Sequence, residues 1–199
     1  MLKYLVPRFP LADLPPMLAV AMLGAVLASV YGVMHDQWTY SISPEYFTKL
    51  KFQQFAHANL GLGERFFVAT IGILATWWVG MLAAWLLARR LIPHQPRPQA
   101  YRQIRQGFVI VFAFSAIFAL GGYAYGLWRG PEADDTAWAW ATRSLQITDL
   151  GSFVRVAYIH NASYLGSLTG LIVALLTLRP RGTQPATLQE DDTHAGSIR

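Results

Sequence analysis

The sequence predicts an all-α membrane protein: an up-down bundle of four transmembrane helices with short interfacial helices on the outer face. Three observations lead there. Arg65 and Arg89, Arg105 and Arg129, and Arg155 and Arg179 each stand 24 positions apart, with no Asp, Glu, Lys or Arg between the members of a pair. A fourth charge-free run, Leu14 to Met34, lies between Asp13 and Asp36. The chain is 54% hydrophobic and only 14% charged, a balance that fits apolar segments committed to lipid. As helix, 24 residues rise about 36 Å, enough to cross a hydrocarbon core of about 30 Å with both guanidiniums at the headgroups.

The elements follow in order within one membrane domain, residues 1–181. Residues 1–15 form a short lead. Pro15 and Pro16 suit the first turn of a helix, where a missing N–H costs nothing, and the first span covers 14–34. Its apolar run is longer than a signal-peptide core and no A-x-A site follows it, so it reads as a retained anchor. Residues 35–64 are expected to form the longer outer loop. Within it, Ser43-Pro44-Glu45 has the form of a helix start, with serine as cap and an acid in the first turn. Tyr46, Phe47, Leu50 and Phe55 then share one face of a short interfacial helix.

The second span, 66–88, ends at Arg89-Arg90. The connector Leu91–Gln99 carries Pro93, Pro96 and Pro98 and is expected to be extended. The third span, 106–128, leads to an outer loop with a short helix near Trp138 and Trp140, and the fourth span covers 156–178. Residues 182–199 hold few large apolar side chains and read as a disordered cytoplasmic tail. Trp38, Trp128, Trp138 and Trp140 fall at the outer boundary, as in an aromatic belt.

Charge orients the bundle. With the first residues inside, the inner segments hold ten basic residues and the outer loops six, while seven of the eleven acids lie outside. The loop from Arg89 to Arg105 is short and carries five arginines and no acid. The positive-inside rule then places both termini in the cytoplasm, most naturally at a bacterial inner membrane. The lipid bilayer is the first partner. Other membrane subunits or a homo-oligomer are further ones, and no basic run or basic amphipathic helix points to nucleic acid.

There is no cysteine, which excludes disulfides, thiolate metal sites and cysteine nucleophiles. No Walker A, G-x-G-x-x-G, H-E-x-x-H or G-x-S-x-G pattern occurs. What remains is a one-sided set of polar groups near the outer leaflet. His35, Glu45, His57, Glu64 and His160 are the candidate metal ligands. Neutral imidazole and carboxylate together suit zinc, iron, copper or nickel, and an ionisable group at the depth of His160 points to function. His57 and Glu64 would share a face if their helix were continuous through Gly61 and Gly63. The leading reading is a site for a transition metal or haem. The alternatives are an accessory or assembly subunit of a larger membrane complex, and a membrane enzyme acting on lipid or quinone.

Small residues mark packing faces. Gly24, Ala28 and Gly32 recur every fourth position in the first span, and Ser163, Gly166, Ser167, Gly170 and Ala174 line the fourth. These two stripes are expected to pack on each other.

Overall fold

The computed structural model describes residues 9–130 and 136–180. The expected tail, 182–199, and the acids Glu132, Asp134 and Asp135 lie outside them. Among the described residues the protein is helical, with no strand. The long helices are α1 (Leu14–Ile42), α3 (Glu64–Leu91), α4 (Arg97–Arg129) and α6 (Leu150–Thr177), with short helices α2 (Phe52–Gln54) and α5 (Ala139–Leu145) between them. Among the described residues, four helices are long and apolar enough to cross a membrane. They mark an integral membrane protein with a lipid bilayer as its surroundings.

Helix α1 begins with Pro15 and Pro16 in its first turn, as expected, but runs on past Met34 to Ile42. The expected loop from residue 35 is therefore helix for two further turns. No breaker interrupts it until Pro44, whose ring disfavours helical geometry at the residue before it. Ser43 accordingly turns extended (φ −142°, ψ 96°). Pro44 then opens a π-helical turn, Tyr46–Lys51, of the kind that often marks a functional site.

Gly61 and Gly63 take positive φ values of 71° and 98°, a conformation that glycine adopts at little cost. Helix α3 starts only after them, so His57 and Glu64 do not share a continuous helix. The connector after α3 is less extended than expected. A 3-10 turn, Ile92–His94, is joined to α4 by only two extended residues, Gln95 and Pro96. Its prolines sit where helices tolerate them, Pro93 and Pro98 in first turns and Pro96 as the α4 N-cap.

The long helices associate as two pairs, α1 with α3 and α4 with α6. Small residues set this pairing. A Cβ on Gly24 would stand 2.6 Å from Gly80 O, and one on Gly72 would stand 2.6 Å from Gly32 O. Thr76 Oγ1 donates across the same interface to Ala28 O at 2.8 Å. In the other pair, a Cβ on Gly166 would stand 2.5 Å from Phe114 O, and one on Gly122 would stand 2.6 Å from Tyr158 O. The expected contact between the α1 and α6 stripes is thus corrected. Each stripe packs within its own pair, because α3 and α4 supply matching glycines or a flat aromatic surface where backbones can approach.

The pairs meet mainly at their two ends. One apolar cluster joins Met17 and Val20 to Leu87, Leu91, Ile104 and Ala174. The other joins Tyr40, Tyr46, Phe47, Val68, Phe153 and Val156. Between these clusters the pairs enclose a cavity of about 320 Å3, walled by residues such as Ala28, Ala75, Val79, Phe112 and Ser167.

Candidate metal centre

The continuation of α1 determines the site. It carries His35 and Asp36 on the turn beyond Gly32, with Thr39 and Tyr40 one turn further. Helix α6 brings His160 from the other pair. One ligand atom each from His35, Asp36 and His160 can be chosen so that all lie within 4.8 Å of one another. His160 Nε2 is 3.9 Å from Asp36 Oδ1 and 3.3 Å from Thr39 Oγ1. The rings of His35 and His160 meet edge to face, with centroids 4.7 Å apart and planes at 89°.

Burial makes this grouping costly as it stands. Asp36 and His160 are each about 5% exposed and Thr39 is fully buried. Among the described residues, the buried Nε2 of His35 has no hydrogen-bond partner. An unsatisfied buried polar atom costs about 1–3 kcal/mol, and a buried carboxylate costs more unless a cation or hydrogen bonds compensate it. A divalent cation would satisfy the free imidazole nitrogen and the carboxylate together. Two donors on one zinc-like ion stand at most about 4 Å apart, given bonds of about 2.0–2.2 Å. The three donors need only a small inward shift to reach that distance.

The π-helical turn covers the centre. Tyr46 stacks on His160 at 5.1 Å with planes 25° apart, and Phe47 lies 6.1 Å from the same ring. On the other side Tyr31 stacks on His35 at 5.8 Å. The wide π turn also swings Lys51 to the cavity, which it lines beside Asp36 and His160. Burial pulls the Lys51 ammonium below the usual lysine range, and the nearby Asp36 charge opposes that shift. Burial also pushes the Tyr46 phenol upward, so Tyr46 serves as a neutral cover.

Of the five ligands expected from sequence, His35 and His160 come together. Glu45, His57 and Glu64 lie elsewhere. Glu45 reaches the start of α6, accepting from Thr148 N at 3.0 Å, Asp149 N at 2.8 Å and Thr148 Oγ1 at 2.8 Å, and it pairs with Lys49. Burial raises its carboxyl, but these bonds outweigh it and hold the pKa down at about 2. Glu45 thus caps a neighbouring helix rather than its own. Glu64 accepts from Tyr40 OH, and Arg65 lies 4.8 Å from the Tyr40 ring. His57 is exposed in a 3-10 turn, Ala56–Ala58, beside Phe55.

Sequence reasoning set Asp36 among the polar groups at the end of the first span but not among the ligands, and it gave Thr39, Tyr46 and Lys51 no part in the site. A signal for Asp36 was present: the series Gly24, Ala28, Gly32 continues at the same spacing to Asp36 and Tyr40. Extending the helix to the next proline would have carried the packed face onto the carboxylate. A haem held between His35 and His160 does not fit. Axial imidazoles sit on opposite faces of a macrocycle, whereas these two rings touch each other.

No protein-family model, no curated protein and no solved structure matches this chain. The site itself therefore carries the functional reading.

Proposed function

We propose that the protein is an integral membrane metalloprotein that holds one first-row divalent transition-metal ion between His35, Asp36 and His160. The observation that carries this reading is the convergence of two imidazoles and one carboxylate, two of the three residues almost fully buried, with an imidazole nitrogen left without a partner. Two nitrogens and one oxygen suit zinc or iron, and the absence of thiolates disfavours softer ions. Tyr46 and Phe47, packed against the His160 ring, would exclude water from above. Three protein ligands leave a position open on the cavity side, as in sites that act on a substrate. A bound ion would there act as a Lewis acid toward an oxygen atom. That open side favours a second reading, an enzyme working on a membrane-borne molecule.

In this reading the four helices cross the bilayer up-down-up-down. The metal centre and the turn Tyr46–Lys51 lie toward the outer surface of a bacterial inner membrane, with both termini cytoplasmic. The arginine bias of the inner segments supports that orientation.

Metal analysis of the full chain, purified in detergent without a polyhistidine tag, tests the proposal. Near one ion per chain is expected. His160→Ala and Asp36→Asn should each remove it, while His57→Ala should retain it. A wild-type metal content unchanged by His160→Ala would sink the proposal.

A further inference from the structure

We infer that the cavity beside this centre takes the hydrocarbon chain of a single-chain fatty acid, whose carboxylate is held at Lys51. The inference names a ligand for the proposed metal site. It rests on the metal reading for the ion beside the head group, and on the cavity and Lys51 for binding.

The cavity has a polar end and a long apolar body. His35, Asp36, Lys51 and His160 line the polar end, and below them the walls are Ile71, Ala75, Val79, Phe108, Phe112 and Leu171. A pocket of about 320 Å3 falls at the small end of the range for ligand sites. At about 30 Å3 for each water-sized group, it has room for roughly ten such groups. That accommodates much of one acyl chain and is too little for the two chains of a bilayer lipid.

Access is from the side. Trp78 and Leu82 of α3 and Leu168 of α6 line the cavity and are each at least half exposed. These exposed side chains border the cavity, so a chain dissolved in the hydrocarbon layer would enter beside them without crossing water.

Charge selects the head group. Among the described residues the Lys51 ammonium has no hydrogen-bond or ion-pair partner. It sits over the rings of Tyr46 and Phe55, at 5.8 and 6.0 Å from their centroids. A partly desolvated ammonium with open donor positions favours an anionic oxygen over a neutral hydroxyl, since charge-assisted hydrogen bonds are about twice as strong as neutral ones. The second carboxylate oxygen would face the open side of the metal. No bond is made or broken.

Native mass spectrometry of the full chain in detergent, with added palmitate or hexadecanol, tests this inference. The wild type is expected to hold one palmitate per chain and to prefer it to hexadecanol by about tenfold, the factor that corresponds to about 1.4 kcal/mol. Lys51→Met should abolish the preference with metal content unchanged. Ala75→Phe and Ser167→Phe, which each place a ring in the cavity from a different helix, should exclude both ligands and keep the metal. No stoichiometric palmitate on the wild type, or an undiminished preference in Lys51→Met, overturns the inference. Because Lys51→Met adds no volume, it decides the matter even if a plugged variant misfolds. Palmitate selection without metal would retain the fatty-acid site and remove the metal reading; metal without palmitate would do the reverse.

Discussion

Asp36 of α1 and His160 of α6 stand 3.9 Å apart across the seam between the two helix pairs. Each belongs to a different pair, and the pairs otherwise meet mainly through apolar clusters at their ends. An ion bound here would tie the two halves of the protein together.

Metal should therefore stabilise the fold. A ligand that binds only the folded state at a hundred times its Kd contributes about 2.7 kcal/mol. Thermal melts in detergent, followed by circular dichroism, should move up by several degrees when zinc or ferrous ion is added and fall back on chelation. Asp36→Asn should show no such response. A melt equally metal-sensitive in that variant would place the ion elsewhere.

Two glycine substitutions should act in opposite directions. A Cβ on Gly32 would stand 2.5 Å from Thr76 Oγ1, so Gly32→Ala forces α1 and α3 apart and should cost about 1–3 kcal/mol, as overpacking does. Among the described residues, nothing lies within 4 Å of such a Cβ on Gly121 in α4. Gly121→Ala should gain roughly 0.5–1 kcal/mol through helix propensity alone. Reversible unfolding in mixed micelles measures both.

Glu45 predicts an acid-sensitive step. Its folded pKa, held at about 2, lies below its ordinary value of 4.5, so the carboxylate contributes stability above pH 4.5. That contribution is lost as pH falls from 4.5 toward 2. Partial exposure screens it, leaving on the order of 1–2 kcal/mol. Glu45→Gln should lower stability at neutral pH and flatten the curve between these two values. Unfolding midpoints measured from pH 2 to 7 would show whether that limb disappears.

The hydroxyls of Tyr31, Ser115 and Ser163 form a small triangle between α1, α4 and α6, with contacts of 2.9 Å from Ser115 to Tyr31, 2.8 Å from Ser115 to Ser163 and 3.2 Å from Tyr31 to Ser163. Ser115→Ala removes two of the three. A loss near 0.6 kcal/mol, and not above about 1.7 kcal/mol, is expected from measured hydrogen bonds between membrane helices. A larger loss in the same unfolding assay would mean that the triangle holds the cavity open as well as joining the helices.

Much of this protein is legible in one dimension because lipid imposes a one-dimensional rule. A stretch that crosses hydrocarbon must be long, helical and free of unpaired charge, so the arginine spacing from Arg65 to Arg179 already separates three of the four long helices. His35 and His160 also stand out as costly groups near the ends of apolar runs. Helix pairing is another matter. The stripes on α1 and α6 look complementary in sequence, yet Gly24 meets Gly80 and Gly166 meets Phe114, because close approach depends on the shape of both surfaces at once. The donor set behaves in the same way. Glu45 and Asp36 are both acids near helix ends, and the every-fourth-residue series that reaches Asp36 marks it as packed without showing what it faces. Their difference arises from which backbone or imidazole faces each carboxylate after packing, a relation between residues more than a hundred positions apart.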